Sequence, residues 1–115
     1  MEIGKTLHVK NRNEWRKWLS KNHNKEKEIW LVYYKKSSGK VSITYDEDVE
    51  EALCFGWIDS IEKKLDDSRL VQRFSPRNPK SGWSETNKER ARKLIAEGKM
   101  TDAGFAKLGN VLNDK

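Results

Sequence analysis

Six consecutive apolar residues, Ile29-Trp30-Leu31-Val32-Tyr33-Tyr34, interrupt a chain in which 37% of residues are charged and 35% hydrophobic. The run is far shorter than the ~20 residues of a membrane span. It is rich in β-branched and aromatic side chains and apolar at both alternating positions. It therefore predicts a strand from Glu28 to Lys35 that is central in its sheet and covered on both faces. Such a polar composition borders on that of disordered chains. Five Trp, three Tyr and three Phe tip the balance towards folding, since each can bury roughly 150–250 Å². The chain has 115 residues, enough for one domain of ordinary size.

The flanking segments predict the other elements. Met1 to Val9 alternates weakly, with Ile3, Leu7 and Val9 apolar, and reads as a short first strand. Asn11 and Glu14 open a helix in the manner of a capping box. Trp15, Trp18 and Leu19 form its apolar stripe, and it ends near Asn22 to Asn24. Ser37-Ser38-Gly39-Lys40 is a turn. Thr44 with Glu47 caps a second helix, with Val49, Ala52 and Leu53 inward and Gly56 as its stop. Trp57 to Leu65 and Leu70 to Phe74 pair as a hairpin about Asp66-Asp67-Ser68. Pro76 and Pro79 exclude regular structure. Ser84 caps a third helix, Glu85 to Ala96, and Thr101 a fourth reaching Leu112. The expected fold is α+β: a small, mainly antiparallel sheet with helices packed on it, in the order β-α-β-α-β-β-α-α. Residues 1–112 form the domain, and the polar tail Asn113-Asp114-Lys115 frays.

Several chemistries lack their residues. His8 and His23 with the lone Cys54 give no zinc spacing. Asp46, Asp48 and Asp66 read as capping and turn residues before they read as magnesium ligands. No phosphate-cradling glycine motif and no nucleophile elbow occurs. No cofactor is expected. A single cysteine and the lack of a signal-like or spanning segment point to a reducing cytoplasm.

The formal charge is +6, and its distribution says more than its sum. Between Arg69 and Lys99 lie nine basic and three acidic residues, an excess equal to that of the whole chain. Within it, the loop from Arg73 to Ser84 carries Arg73, Arg77 and Lys80 for anions, hydroxyls at Ser81 and Ser84, and Trp83 to stack or close a pocket. Two prolines stiffen it. The helix behind it, through Asn87, offers free N–H groups at its start. The hairpin returns this loop beside Trp57 and Asp59. The expected ligand surface is therefore Trp57, Asp59, Arg73, Arg77, Lys80, Ser81, Trp83, Ser84 and Asn87, and its expected partner is an anionic small molecule or nucleic acid. Equally open is a structural reading, with Trp83 as a core staple and the arginines paired to Asp59, Glu62 or Glu85.

Phe55-Gly56-Trp57-Ile58-Asp59-Ser60, Arg73-Phe74-Ser75-Pro76-Arg77, Lys80-Ser81-Gly82-Trp83-Ser84-Glu85-Thr86-Asn87 and Glu97-Gly98-Lys99-Met100-Thr101-Asp102-Ala103-Gly104 together resemble the YdeI/OmpD-associated, or bacteriocin-protection-like, family. The resemblance implies a compact bacterial α+β protein linked to protection against antimicrobial peptides or to outer-membrane protein biology. It brings no catalytic set. Longer members continue beyond the position of Asn110 into a helical, basic segment, so a function housed there is expected to be absent here or supplied otherwise. Three readings result: a non-catalytic binding protein for an anionic ligand, a small hydrolase or transferase, and a protein-interaction module. The enzyme would use Asp59 as base, Ser60 or Ser81 as a polar contact, and Arg73 or Arg77 as anion clamp.

Overall fold

A computed structural model describes residues 2–78 and 82–113. The apolar run forms β2 (Ile29–Tyr34), following β1 (Thr6–His8) and α1 (Arg12–Asn22). Then come α2 (Tyr45–Cys54), β3 (Trp57–Asp66), β4 (Arg69–Pro76), α3 (Glu85–Ala96) and α4 (Asp102–Leu108). The strands form one sheet in the order β1-β2-β4-β3. β2 is internal, as its two apolar faces require. It is antiparallel to β4, which is antiparallel to β3. β1 is parallel to β2, so the sheet is mixed but mostly antiparallel.

The caps act as the sequence predicts. Asn11 accepts from the Glu14 N–H, the Thr44–Glu47 box closes in both directions, and Ser84 and Thr101 cap α3 and α4. Three boundaries differ. β1 shrinks to three residues, because only Thr6 to His8 lie against β2. β4 runs on to Pro76, which pairs with Trp57 at the strand's end, a place where a proline is tolerated. α4 stops at Leu108, where Gly109 takes a positive φ of 51°. Val111–Asn113 then forms a 3-10 turn, so the first residue of the expected fraying tail is placed in structure.

The two sheet faces are unequal. Ile29, Leu31, Trp57 and Phe74 face the helices and pack with Trp15, Leu19, Val49, Leu53 and Leu94. The opposite face holds a small cluster of Trp30, Val32 and Val71 beneath Ile3, Tyr34 and Leu65. α2 lies in the middle, in contact with α1, α3, α4 and β3. It buries more than its apolar stripe: Asp48, Glu50 and Glu51 are buried too. Glu51 receives Arg12 Nε at 2.7 Å and Arg16 Nη1 at 2.9 Å. Glu50 receives Arg12 Nη2 at 2.8 Å and Lys93 Nζ at 3.0 Å. Burial works against the Glu50 charge, yet the bonds from Arg12 and Lys93 hold its pKa below the ordinary range. This network ties α1 and α3 to α2. Among the described residues, no helix is long and apolar enough to cross a membrane.

Candidate functional site

The end of α2 builds the site's floor. Gly56 turns the chain with a φ of 74°, which an L side chain rarely adopts. Its carbonyl accepts from the Arg77 N–H at 2.8 Å. Lys107 Nζ on α4 donates to the Arg77 carbonyl at 2.9 Å. Arg77 is therefore fixed by its backbone on both sides. Its side chain turns inward and is only 2% exposed. The guanidinium lies over the Trp83 ring, 3.8 Å from the centroid. Nη2 donates to the Gly82 carbonyl at 2.5 Å. Nε and Nη1 are buried and have no hydrogen-bond partner among the described residues. Burial lowers the Arg77 pKa, while the nearby Asp59 charge opposes that shift.

Asp59 sits on β3 opposite Phe74, on the helix-bearing face. It accepts from Tyr45 Oη at 2.9 Å. Beside this pair lies a second one, in which Tyr33 Oη donates to Asp48 Oδ2. Asp48 is fully buried, and its Oδ1 has no partner among the described residues. Burial drives the Asp48 pKa up to about 8, against the Tyr33 hydrogen bond, and the negative charges of Asp59 and Asp46 add to the rise. Burial also pushes Tyr45 up to about 12, with its bond to Asp59 adding to the shift. Tyr33 is raised as well, by burial first and then by Asp48. At neutral pH, Asp48 thus holds its proton beneath α2.

The sequence-predicted residues divide. Arg77 and Trp83 are in contact, and the Asp59 charge acts on Arg77 through space. Ser84 and Asn87 stand at the start of α3, but both are engaged: Ser84 Oγ accepts from the Asn87 N–H at 3.1 Å, and Asn87 Oδ1 accepts from Arg90 at 3.0 Å. Arg90 also reaches Asp46 at 2.9 Å. Trp57 is 1% exposed, donates to the His23 carbonyl at 3.2 Å and meets Trp18 edge-on. It forms the wall of the core and offers no free ring face. Arg73 departs from the expected surface. It neighbours Phe74, which points at the helices, so strand alternation sends Arg73 to the other face. There it binds Glu28 at 2.6 Å and Ser75 at 3.3 Å. Lys80 and Ser81 lie outside the described residues.

Tyr33, Tyr45 and Asp48 are additions that sequence reasoning missed. Tyr33 shares a strand face with Ile29 and Leu31, and Asp48 stands four residues before Ala52 on the inward side of α2. Both periodicities were visible. Reading Asp48 as a capping residue concealed the second. Among the described residues, no three His, Cys, Asp or Glu side chains group so as to hold a metal ion. Asp46 and Asp66 are instead paired with Arg90 and Arg69.

Residues 7–107 match a family described as a domain of unknown function, DUF8412. The chain belongs to the DUF8412 family. The matched span runs from β1 into α4 and so includes Asp59, Arg77 and Trp83. Comparison with curated proteins and with solved structures finds no match. The DUF8412 domain of this chain thus has an α+β fold and carries this polar constellation.

Proposed function

We propose that this DUF8412 domain is a binding module for a small anionic ligand, a phosphorylated compound above all, seated against Arg77 and Trp83. One observation carries the reading: the Arg77 guanidinium is buried, stacked on an indole, and left with two unpartnered donor atoms among the described residues. Burying a charged donor without a partner is costly. A planar guanidinium with free N–H groups suits phosphate or carboxylate oxygens, which would pair with its Nε edge or its Nη1 end. The adjacent indole can cover a flat ligand. The basic excess from Arg69 to Lys99 favours the approach of anions. Nucleic acid is the larger member of the same ligand class, and its binding would weaken steeply with salt.

The test is titration with inorganic phosphate and nucleoside monophosphates, followed by calorimetry and thermal shift. Each charge-assisted bond is worth ~1.5–3 kcal/mol, so Arg77→Met should weaken binding by about 10- to 150-fold. Arg77→Lys keeps the charge and loses the fork, and should fall between. Unchanged affinity in Arg77→Met would place the ligand elsewhere.

A second reading rests on the carboxylates. Asp48 and Asp59 lie close enough to interact, and the pair is held by two tyrosines. A protonated acid beside a second carboxyl is the arrangement an acid–base hydrolase or transferase uses. Asp59→Asn separates the two readings: a binding site should retain its phosphate affinity, whereas a hydrolase should lose turnover. The resemblance to the YdeI/OmpD-associated family supports bacteriocin or antimicrobial-peptide protection as the biological setting. The buried single cysteine fits a reducing cytoplasm.

A further inference from the structure

The far edge of the sheet is a separate feature, distant in sequence from Arg77 and not used by the reading above. β1 is an edge strand, with no strand on its outer side among the described residues. Cavities flank it on both sides. One, of about 310 Å³, lies between β1 and α1 and is lined by Leu7, Val9, Lys17, Trp18 and Lys21. The other, of about 450 Å³, is lined by His8, Lys10, Lys40 and Val41. His8 borders both. Leu7 packs towards the helix-bearing core. The His8 ring meets Tyr34 edge-on on the opposite side, 4.8 Å between centroids. Trp18 is half-buried and Val41 is 66% exposed, so each cavity offers apolar surface beside lysines. The Glu14 carboxylate in the first cavity is already engaged by the Lys10 N–H at 2.8 Å.

We propose that the β1 edge is a docking site for an acidic, extended peptide segment of a partner protein, which adds to the sheet as a further strand. Main-chain bonds to an open edge would supply the affinity, and alternate side chains of the added strand would enter the two cavities. The charge of the rim selects the partner. Lys10, Lys17, Lys21 and Lys40 surround the edge and favour carboxylates at the ends of the incoming side chains. The same lysines oppose a second copy of this chain, whose net charge is +6. The other edge of the sheet is less suited. β3 breaks register with β4 twice, between Asp59 and Glu62 and between Lys64 and Asp66, and such irregularities discourage strand addition.

The probe is a fluorescein-labelled short peptide alternating Glu and Val, followed by anisotropy at low salt. Two N-methylated isomers of it block the backbone N–H groups of one peptide edge or of the other. Strand addition expects one isomer to bind like the parent and the other to fail. The exposed pair Lys17→Glu with Lys21→Glu should weaken the parent peptide roughly tenfold or more, with circular dichroism and melting temperature confirming that the variant folds. Phosphate titration on the same variant should be unchanged, which keeps this proposal separate from the Arg77 site. Equal binding of both isomers would reduce the effect to charge attraction and overturn the proposal. Displacement of the peptide by single-stranded DNA of matched charge overturns it in favour of nucleic acid. Self-association that the peptide disperses assigns the edge to a second copy and overturns it too, as does a parent peptide that fails to bind.

Discussion

Asp48 is where a single residue sets a measurable property of the protein. Its folded pKa of about 8 stands well above the ordinary aspartate value, chiefly through burial. The folded protein therefore binds a proton that the unfolded chain has released across that interval. This contribution to stability is full below about pH 4, declines as pH rises towards 8, and then levels off. The limiting slope is about 1.4 kcal/mol per pH unit for one proton. Glu50 and Asp66 have lowered pKa values, so their opposite effects fall at the acid end, below the pH 5–8 window in which Asp48 acts. Melting curves across that window should show the decline in the natural sequence and a flattened profile in Asp48→Asn. An identical slope in both would assign the proton to another group. The residue scale also shows what the sequence could disclose. Asp59, Arg77 and Trp83 were legible, because a hairpin returns the end of one strand to the start of the other. Arg73 was not, because chain adjacency was followed where strand parity decides the face. The Tyr33–Asp48 pair required knowing that α2 lies over β2, which no local pattern states.

Among the elements, α2 is the one on which the others depend. Leu53 is 3% exposed in the main core. Leu53→Ala should cost about 2–5 kcal/mol in urea unfolding, and a loss below about 0.5 kcal/mol would mean that the cavity closes freely. The charged side of the same helix makes a different prediction. Glu51→Ala leaves Arg12 and Arg16 without their shared carboxylate. Both arginines still reach water, so the loss should fall below the ~3–5 kcal/mol of a fully buried broken pair. In the natural protein, raised salt should weaken this pairing little, because Glu51 is shielded from solvent. Caps and apolar stripes made α1, α2 and α3 readable, and their starts agree with the structure. The ends of β1 and α4 were less so. A strand ends where its partner stops pairing, and α4 ends at Gly109, which takes a positive φ.

At the scale of the molecule, Gly56 joins the parts. It ends α2, accepts from Arg77 and lies against α4. A Cβ there would stand 2.6 Å from Lys107 Cγ and 2.9 Å from the Ala103 carbonyl oxygen. The lysine can move aside; the α4 backbone can do so only by lifting the helix. Gly39 provides the comparison. It has nearly the same φ, 76°, with nothing within 4 Å of an added Cβ. Gly39→Ala should therefore show only the left-handed backbone cost, roughly 1–2 kcal/mol. Gly56→Ala should lose more, since it adds a steric conflict to that cost. The second effect is specific to the fold. Displacing α4 draws away Lys107, which holds the Arg77 carbonyl, and disturbs the Gly56 carbonyl, which holds the Arg77 N–H. Phosphate affinity should thus fall in Gly56→Ala under conditions where both variants remain folded, and stay at the natural level in Gly39→Ala. Equal affinities in the two would show that Arg77 is positioned by Trp83 and Gly82 alone. Its link through Gly56 to α4 would then be a matter of stability and not of binding.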